Sequence, residues 1–245
     1  MPARHQPFHR SRRGFTLVEL LVTITIVITL AALIIAFTKG AFQAADSARC
    51  LERLRQSGAI MVGAAASQNN RIRIFKGGAG SFDQRPYFIL RDEMNLPDES
   101  YDAHFATLST IMFCPAAPEP KTPHWNCYGL NFTNSKVAGA TWSQERIRDE
   151  QGRSAQVSSL YMTSVQDPSR FVLIADSCRS DGQQIFRISG GDRIGLRHKM
   201  RANVFFLDGS ARAIDASGLG RLGFTQAYDT STNPPTSVTL PQTSS

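Results

Sequence analysis

Cysteine is scarce in this chain. Cys50, Cys114, Cys127 and Cys178 are the only four among 245 residues. That is too few for a disulfide scaffold, and the lack of any C-x₂₋₄-C pair speaks against zinc ligation by the cysteines. Catalytic signatures are missing too: no Gly-x-Ser-x-Gly, His-Glu-x-x-His or Walker loop occurs. No catalytic residue is assigned, and the chain reads as a non-enzyme. Acids are absent from the first fourteen residues, which hold Arg4, Arg10, Arg12 and Arg13. Without those four, 23 of the 27 basic residues remain against 20 acids. The formal charge of +7 is thus a basic leader on a near-neutral protein, and no nucleic-acid partner is expected.

After the leader comes an apolar run. Phe15 to Phe37 is 23 residues with Glu19 as its only charge. A helix of that length, at about 1.5 Å per residue, crosses the roughly 30 Å hydrocarbon core. A secretory signal peptide has a shorter core and a small-residue cleavage site, which Lys39-Gly40-Ala41 matches poorly. The arginines on its N-terminal side keep that side cytoplasmic. The expected localisation is the inner membrane, single-pass and in contact with lipid, with everything after Lys39 periplasmic or extracellular.

Glu19 is costly in such a helix unless it reaches headgroup water or finds a positive partner. Cleavage between Gly14 and Phe15 makes Glu19 the fifth residue and creates a new amino terminus. One subunit's Glu19 then neutralises its neighbour's Phe15 amine in a bundle of identical helices. Gly14-Phe15-Thr16-Leu17-Val18-Glu19, between a basic leader and an apolar run, resembles the processing site of type IV prepilins and type II secretion pseudopilins. The resemblance implies that a prepilin peptidase cuts after Gly14, that Phe15 becomes N-methylated, and that Glu19 guides assembly. It covers about forty residues. It also implies related pilin or pseudopilin subunits and an inner-membrane assembly platform as partners.

No strong breaker interrupts residues 41 to 69, and Leu51, Leu54, Gly58, Met61 and Ala65 follow helical steps of three and four. One helix from about Phe15 to Ala66, roughly 75 Å long, is expected. Gly40, Gly58 and Gly63 each weaken it by about 1 kcal/mol relative to alanine. Gly77-Gly78-Ala79-Gly80 reads as a loop, Pro86 to Leu90 as a short strand, and 99–113 as a helix. Phe171 to Ala175 reads as a buried strand. Asn203 to Leu207 and Ser210 to Ile214 flank Asp208-Gly209, which suits a two-residue type I′ turn. That register pairs Phe206 with Ala211 and Val204 with Ala213, and places these four on one apolar face. Thr230 to Ser245 has no charge and is rich in Ser, Thr and Pro, so disorder is expected.

Cys114 and Cys127 bracket a proline-rich loop, and a disulfide between them is expected to contribute on the order of 3 kcal/mol. Cys50 and Cys178 either pair with each other or stay as small buried apolar groups. Asp176, Asp181, Asp192 and Asp208 carry oxygens suited to calcium, but aspartates in loops usually serve turns. No cofactor or metal ligand is assigned, with calcium kept only as an alternative. Trp125 and Trp142 suit either sugar stacking or a satellite core.

"RHKMRANVFFLDGSARAID" resembles the C-terminal signature of a prepilin-like family abundant in planctomycetes and verrucomicrobia. In that signature a histidine precedes Asp-Gly by nine residues, as His198 precedes Asp208-Gly209. "FCP", "CYGLN" and "SRFVLIADS" also look like segments of that family. Lys199-Met200-Arg201 departs from its usual glycine-rich stretch, which leaves that turn open. Spacing predicts a structural hairpin, with Gly209 at positive φ and His198 roughly 20 Å or more from Asp208, closing the far end near Asp215 to Gly218.

The expected fold is α+β and pilin-like: a long N-terminal helix packed on a small antiparallel sheet. The expected segments are a leader (1–14), a transmembrane helix (15–38), an amphipathic stem (39–68), a head (69–229) and a disordered tail (230–245). The expected function is a structural subunit, a pseudopilin or minor pilin, of a secretion or pilus-like fibre. The alternative is a membrane-anchored extracytoplasmic binding protein, for a polysaccharide or a partner protein, that does not polymerise.

Overall fold

A computed structural model describes residues 14–76, 86–97, 101–122, 125–148, 152, 154–189 and 193–242. The arginines of the leader, the Gly77–Gly80 loop and Asp192 lie outside the described residues. Helix α1 is Leu17–Ser67. The chain divides into two compact units, Met1–Phe42 and Gln43–Ser245.

In the first unit, α1 carries an exposed apolar surface from Leu17 to Ile35 and is long and apolar enough to cross a membrane. Its hydroxyls are satisfied within the helix. Thr23, Thr25 and Thr29 donate to the carbonyls of Leu20, Leu21 and Ile26. In hydrocarbon, where water offers no partner, this local bonding removes the cost of the hydroxyl groups.

In the second unit, the rest of α1 buries Cys50, Leu54, Ser57, Gly58, Met61 and Ala65. This is the expected stripe, except that Cys50 rather than Leu51 occupies its first buried place. Three sheets follow among the described residues. The first is antiparallel, in the order β1 (Arg71–Lys76), β4 (Ser154–Tyr161), β3 (Ser143–Arg148). Between its strands come α2 (Pro86–Glu93), α3 (Tyr101–Met112) and β2 (Gly129–Asn131). The second sheet has the order β10-β9-β5-β2-β7, with β5 at Val172–Ala175, β7 at Arg187–Ile188, β9 at Arg201–Phe206 and β10 at Ala211–Asp215. The third has the order β12-β11-β8-β6, with β6 at Ser177–Cys178, β8 at Arg193–Leu196, β11 at Gln226–Asp229 and β12 at Thr236–Thr239. A short α4 (Ala216–Arg221) links β10 to β11. The architecture is α+β, a long N-terminal helix packed on antiparallel and mixed sheets.

Strand β9 separates two cores. Ala202, Val204 and Phe206 face one, with Ile194, Leu219 and Leu240. Phe205 and Leu207 face the other, with Leu54, Met61, Leu130 and Ile174. Two-residue alternation on a strand buried on both faces produces this division. Gly58 is essential to the second core: a Cβ there would fall 2.4 Å from the Phe205 ring. The glycine that weakens the helix locally is what lets that ring lie against it.

Three expectations are corrected. Pro86 to Leu90 is the start of helix α2, not a strand. A short apolar run has no decisive period, and Pro86 is suited to a helix's first turn, where its missing N–H costs nothing. The β9–β10 hairpin has the register Ala211↔Phe205 and Ala213↔Asn203, one residue away from the expected one. Gly209 N–H donates to Phe206 O and Phe206 N–H to Ser210 O, with Gly209 at φ +88. This is a three-residue loop with a glycine bulge, so Ala211 and Ala213 move to the opposite face from Val204 and Phe206. Finally, residues 230–242 are ordered rather than disordered. Thr236–Thr239 pairs with β11, Leu240 is buried, and its N–H donates to Thr225 O. Val238 and Leu240 supply apolar anchors that composition averaged over the segment concealed.

Candidate functional site

Helix α1 begins with a reciprocal cap. Thr16 N–H and Oγ1 donate to Glu19 Oε2 at 2.9 and 2.8 Å, and Glu19 N–H donates to Thr16 Oγ1 at 3.2 Å. Thr16 is the N-cap and Glu19 the third helical residue, the arrangement of a capping box. Gly14 and Phe15 precede the helix and are exposed. Glu19 therefore has work within a single chain, which sequence reasoning did not foresee, although Thr-x-x-Glu is visible in the sequence.

The second constellation lies in the head. Cys50 is on α1, Cys114 follows α3, Asp176 lies between β5 and β6, and His198 lies between β8 and β9. All four are buried, and their ligating atoms lie within 4.8 Å of one another. Asp176 and His198 sit at two of the places where the chain crosses between the five-stranded and four-stranded sheets, from β5 to β6 and from β8 to β9. A register shift in β5 precedes Asp176. Asp176 N–H then bonds Asn203 O, and its carbonyl accepts from Gly195 N–H, one bond to each sheet's neighbourhood.

His198 is aimed by a tight turn. His198 and Arg201 exchange backbone hydrogen bonds at 3.0 and 3.1 Å, and Lys199 and Met200 have φ of 52 and 60. Two successive positive-φ residues define a type I′ turn, built here without glycine. This answers what the departure at 199–201 does to the loop.

Cys114 is placed by the end of α3, where three successive carbonyls are engaged. Ser57 Oγ donates to Ile111 O, Tyr128 N–H to Met112 O, and Arg53 to Phe113 O. Cys114 N–H in turn donates to Gln184 Oε1 at 2.9 Å. Two of these partners, Ser57 and Arg53, come from α1, as does Cys50. The elements that hold the cluster are thus already tied to one another.

Within the cluster, His198 Nε2 lies 3.1 Å from Asp176 Oδ2 and 3.3 Å from Cys114 Sγ. Cys50 Sγ donates to the same Asp176 oxygen at 3.2 Å. Tyr128 Oη donates to Cys50 Sγ at 3.3 Å. Asp176 Oδ1 has no partner although Asp176 is fully buried. Burial pushes the Cys50 thiol well up, aided by its contact with Cys114 and the Asp176 charge. Burial acts the same way on Cys114, but hydrogen bonds from Cys50 and His198 outweigh it and hold this thiol below its usual range. Burial opposes charge on His198, yet hydrogen bonds to Asp176 and Cys114 and their charges raise it to about 10. Cys114 and His198 thus favour a negative sulfur beside a cation, while Cys50 is held as the neutral thiol.

The other candidate residues are placed elsewhere. Cys114 and Cys127 remain thiols, so the expected disulfide does not form. Cys114 turns its sulfur into the cluster with His198 instead. Cys50 and Cys178 do not pair either: Cys178 Sγ donates to Arg179 O. His198 does not close the far end of the β9–β10 hairpin; it meets Asp176 and Cys114. Asp208 is exposed and accepts from Ser210 N–H and Oγ, the turn role that spacing suggested. Asp181 likewise accepts from Gln183 N–H. Trp142 is buried in the larger core, stacked on Phe132, rather than in a satellite core, while Trp125 meets Phe186 edge-on and is partly exposed.

Sequence reasoning missed the cluster because it weighed the cysteines and the aspartates as separate ligand sets. The ligand spacing runs through three dimensions, and two of the four members are not cysteine. A weak signal existed, since "FCP", "SRFVLIADS" and the signature histidine each contribute one member.

An apolar, capped N-terminal helix joined in sequence to an α+β head defines a class of protein with an anchor segment and a folded domain. A family model described as the prokaryotic N-terminal methylation motif matches residues 9–35. The chain carries a prepilin-type cleavage and methylation segment, the N-terminal mark of type IV pilin-like proteins. No curated protein and no solved structure matches the chain.

Proposed function

We propose that this protein is a pilin-like structural subunit, a pseudopilin or minor pilin, cut after Gly14 and N-methylated at Phe15. The methylation motif over residues 9–35 carries this reading. A basic leader followed by Gly14, Phe15 and an apolar helix is the substrate form that a membrane-embedded prepilin peptidase requires. On this reading the apolar part of α1 holds the subunit in the inner membrane, with the head on the far side of the cytoplasm. Related subunits then associate through their N-terminal helices, delivered by an assembly platform. The protein acts by structure and association, not by catalysis.

Assembly gives Glu19 a second task. In the single chain its carboxylate caps Thr16; in a bundle it also offers a negative charge to the neighbour's methylated Phe15 amine. In hydrocarbon that pairing replaces the cost of an isolated carboxylate with an ion pair. A non-polymerising anchored binding protein is the second reading, and the capping box favours it to this extent: Glu19 is useful to a lone helix as well.

Mass spectrometry of the membrane-extracted protein tests processing. The expected N-terminus is methylated Phe15, and Gly14→Asp is expected to retain the leader. An intact Met1–Gly14 leader in the native protein would overturn the reading.

A further inference from the structure

The buried cluster has the composition and the spacing of a metal centre. We propose that Cys50, Cys114, Asp176 and His198 bind one zinc ion, which clamps α1 and the end of α3 to the crossing between the two larger sheets.

The chemistry of the donors selects the ion. Two sulfurs and an imidazole nitrogen suit zinc and are wrong for calcium or magnesium, which take oxygen. Each residue offers one atom, which makes four, the number a closed structural zinc site uses. The distances agree. Zinc bonds of about 2.0 to 2.3 Å imply ligand–ligand edges of about 3.3 to 3.8 Å in a tetrahedron. The observed separations of 3.1, 3.2 and 3.3 Å, with every pair within 4.8 Å, lie close to that range. Shifts of a few tenths of an ångström to about 1 Å complete the geometry, which side chains supply without moving the backbone.

Two further observations point to a ligand. Asp176 Oδ1 is a fully buried carboxylate oxygen without a partner. A buried carboxylate oxygen left so is costly, and a cation beside the carboxylate offsets that cost. Tyr128 Oη already donates to Cys50 Sγ, the outer hydrogen bond that steadies a metal-bound thiolate. There is also a way in. His198 lines a surface cleft of about 320 Å³ together with Asp46, Lys199 and Met200.

Binding is a proton exchange without redox change. Cys50 and Cys114 lose their thiol protons to solvent, and His198 binds as the neutral imidazole after losing any second proton it holds. The four ligands span residues 50 to 198, so one ion closes long stretches of chain and holds the stem against the head. No open coordination position remains for a substrate, and the role is structural.

The test uses the full chain, purified from membranes in detergent without chelator. Metal analysis is expected to find about one zinc per chain, the content of a single four-ligand site. Replacement by Co²⁺ is expected to give the absorption bands of a tetrahedral thiolate-bound ion. His198→Ala and Cys114→Ser are expected to lower zinc affinity by at least about tenfold to a hundredfold. Cys178→Ser, outside the cluster, is expected to leave zinc content unchanged. Should the ligand variants fail to fold, the wild-type cobalt spectrum and zinc content still decide. A chain that takes up neither Zn²⁺ nor Co²⁺ with its thiols reduced overturns the proposal. So does peptide mapping that finds Cys50 and Cys114 joined as a disulfide in the native protein.

Discussion

His198 Nε2 and Asp176 Oδ2 stand 3.1 Å apart, both buried, at two crossings between the same two sheets. Removing one partner strands the other in a dry interior. His198→Ala is expected to destabilise the head by about 3 to 5 kcal/mol, the usual cost of breaking a buried pair from one side. The double variant His198→Leu with Asp176→Leu is expected to lose less than the sum of the singles. Thermal unfolding of the four proteins in one detergent checks this, and strict additivity would show that the two residues do not interact.

Gly58 faces the ring of Phe205, where a methyl group would fall at 2.4 Å. On helix propensity alone, Gly58→Ala is expected to stabilise by about 1 kcal/mol. Overpacking against a buried ring costs typically 1 to 3 kcal/mol, so the net expectation is a loss. Adding Phe205→Leu is expected to recover part of it. A rise in melting temperature for Gly58→Ala alone would show that the helix and strand separate without cost.

The turn at Lys199 and Met200 places two side chains at positive φ. Left-handed backbone costs roughly 1 to 2 kcal/mol for a residue with a Cβ. Met200→Gly, or Lys199→Asn with Met200→Gly, is expected to stabilise the head by about 1 kcal/mol while keeping His198 in place. The melting temperature is expected to rise by about 2 to 4 °C for a domain of this size. A fall would mean that Met200 contributes more by packing than its backbone costs.

Glu19 separates capping from charge. Glutamine still fits the third helical position of a capping box but carries no charge, whereas alanine fills neither role. If assembly uses the charge, Glu19→Gln and Glu19→Ala are both expected to reduce cross-linking between subunits. Insertion into the membrane is expected to stay intact or improve slightly in both. Normal cross-linking of Glu19→Gln would restrict Glu19 to capping and reject charge pairing as the basis of assembly.

Local sequence determined the N-terminal part of this protein. A basic leader, Gly14-Phe15 and a long apolar run specify an anchor through composition and covalent order, which need no tertiary contacts. It also determined α1, α3 and the buried strand β5, whose periods or apolar runs are long enough to read. Where two local readings nearly balance, the fold decided. Pro86 to Leu90 became a helix because Tyr87, Phe88 and Leu90 bury better that way, and one residue in the turn at Gly209 moved β10 to the opposite face. The tail became a strand because β11 offered it an edge. The cluster of Cys50, Cys114, Asp176 and His198 lay furthest from local view. Its members span almost 150 positions and three residue types, and each alone reads as a small buried group, a loop thiol, a turn acid or a signature histidine. Only the meeting of a helix, a helix end and two sheet crossings brings their atoms within reach of one ion.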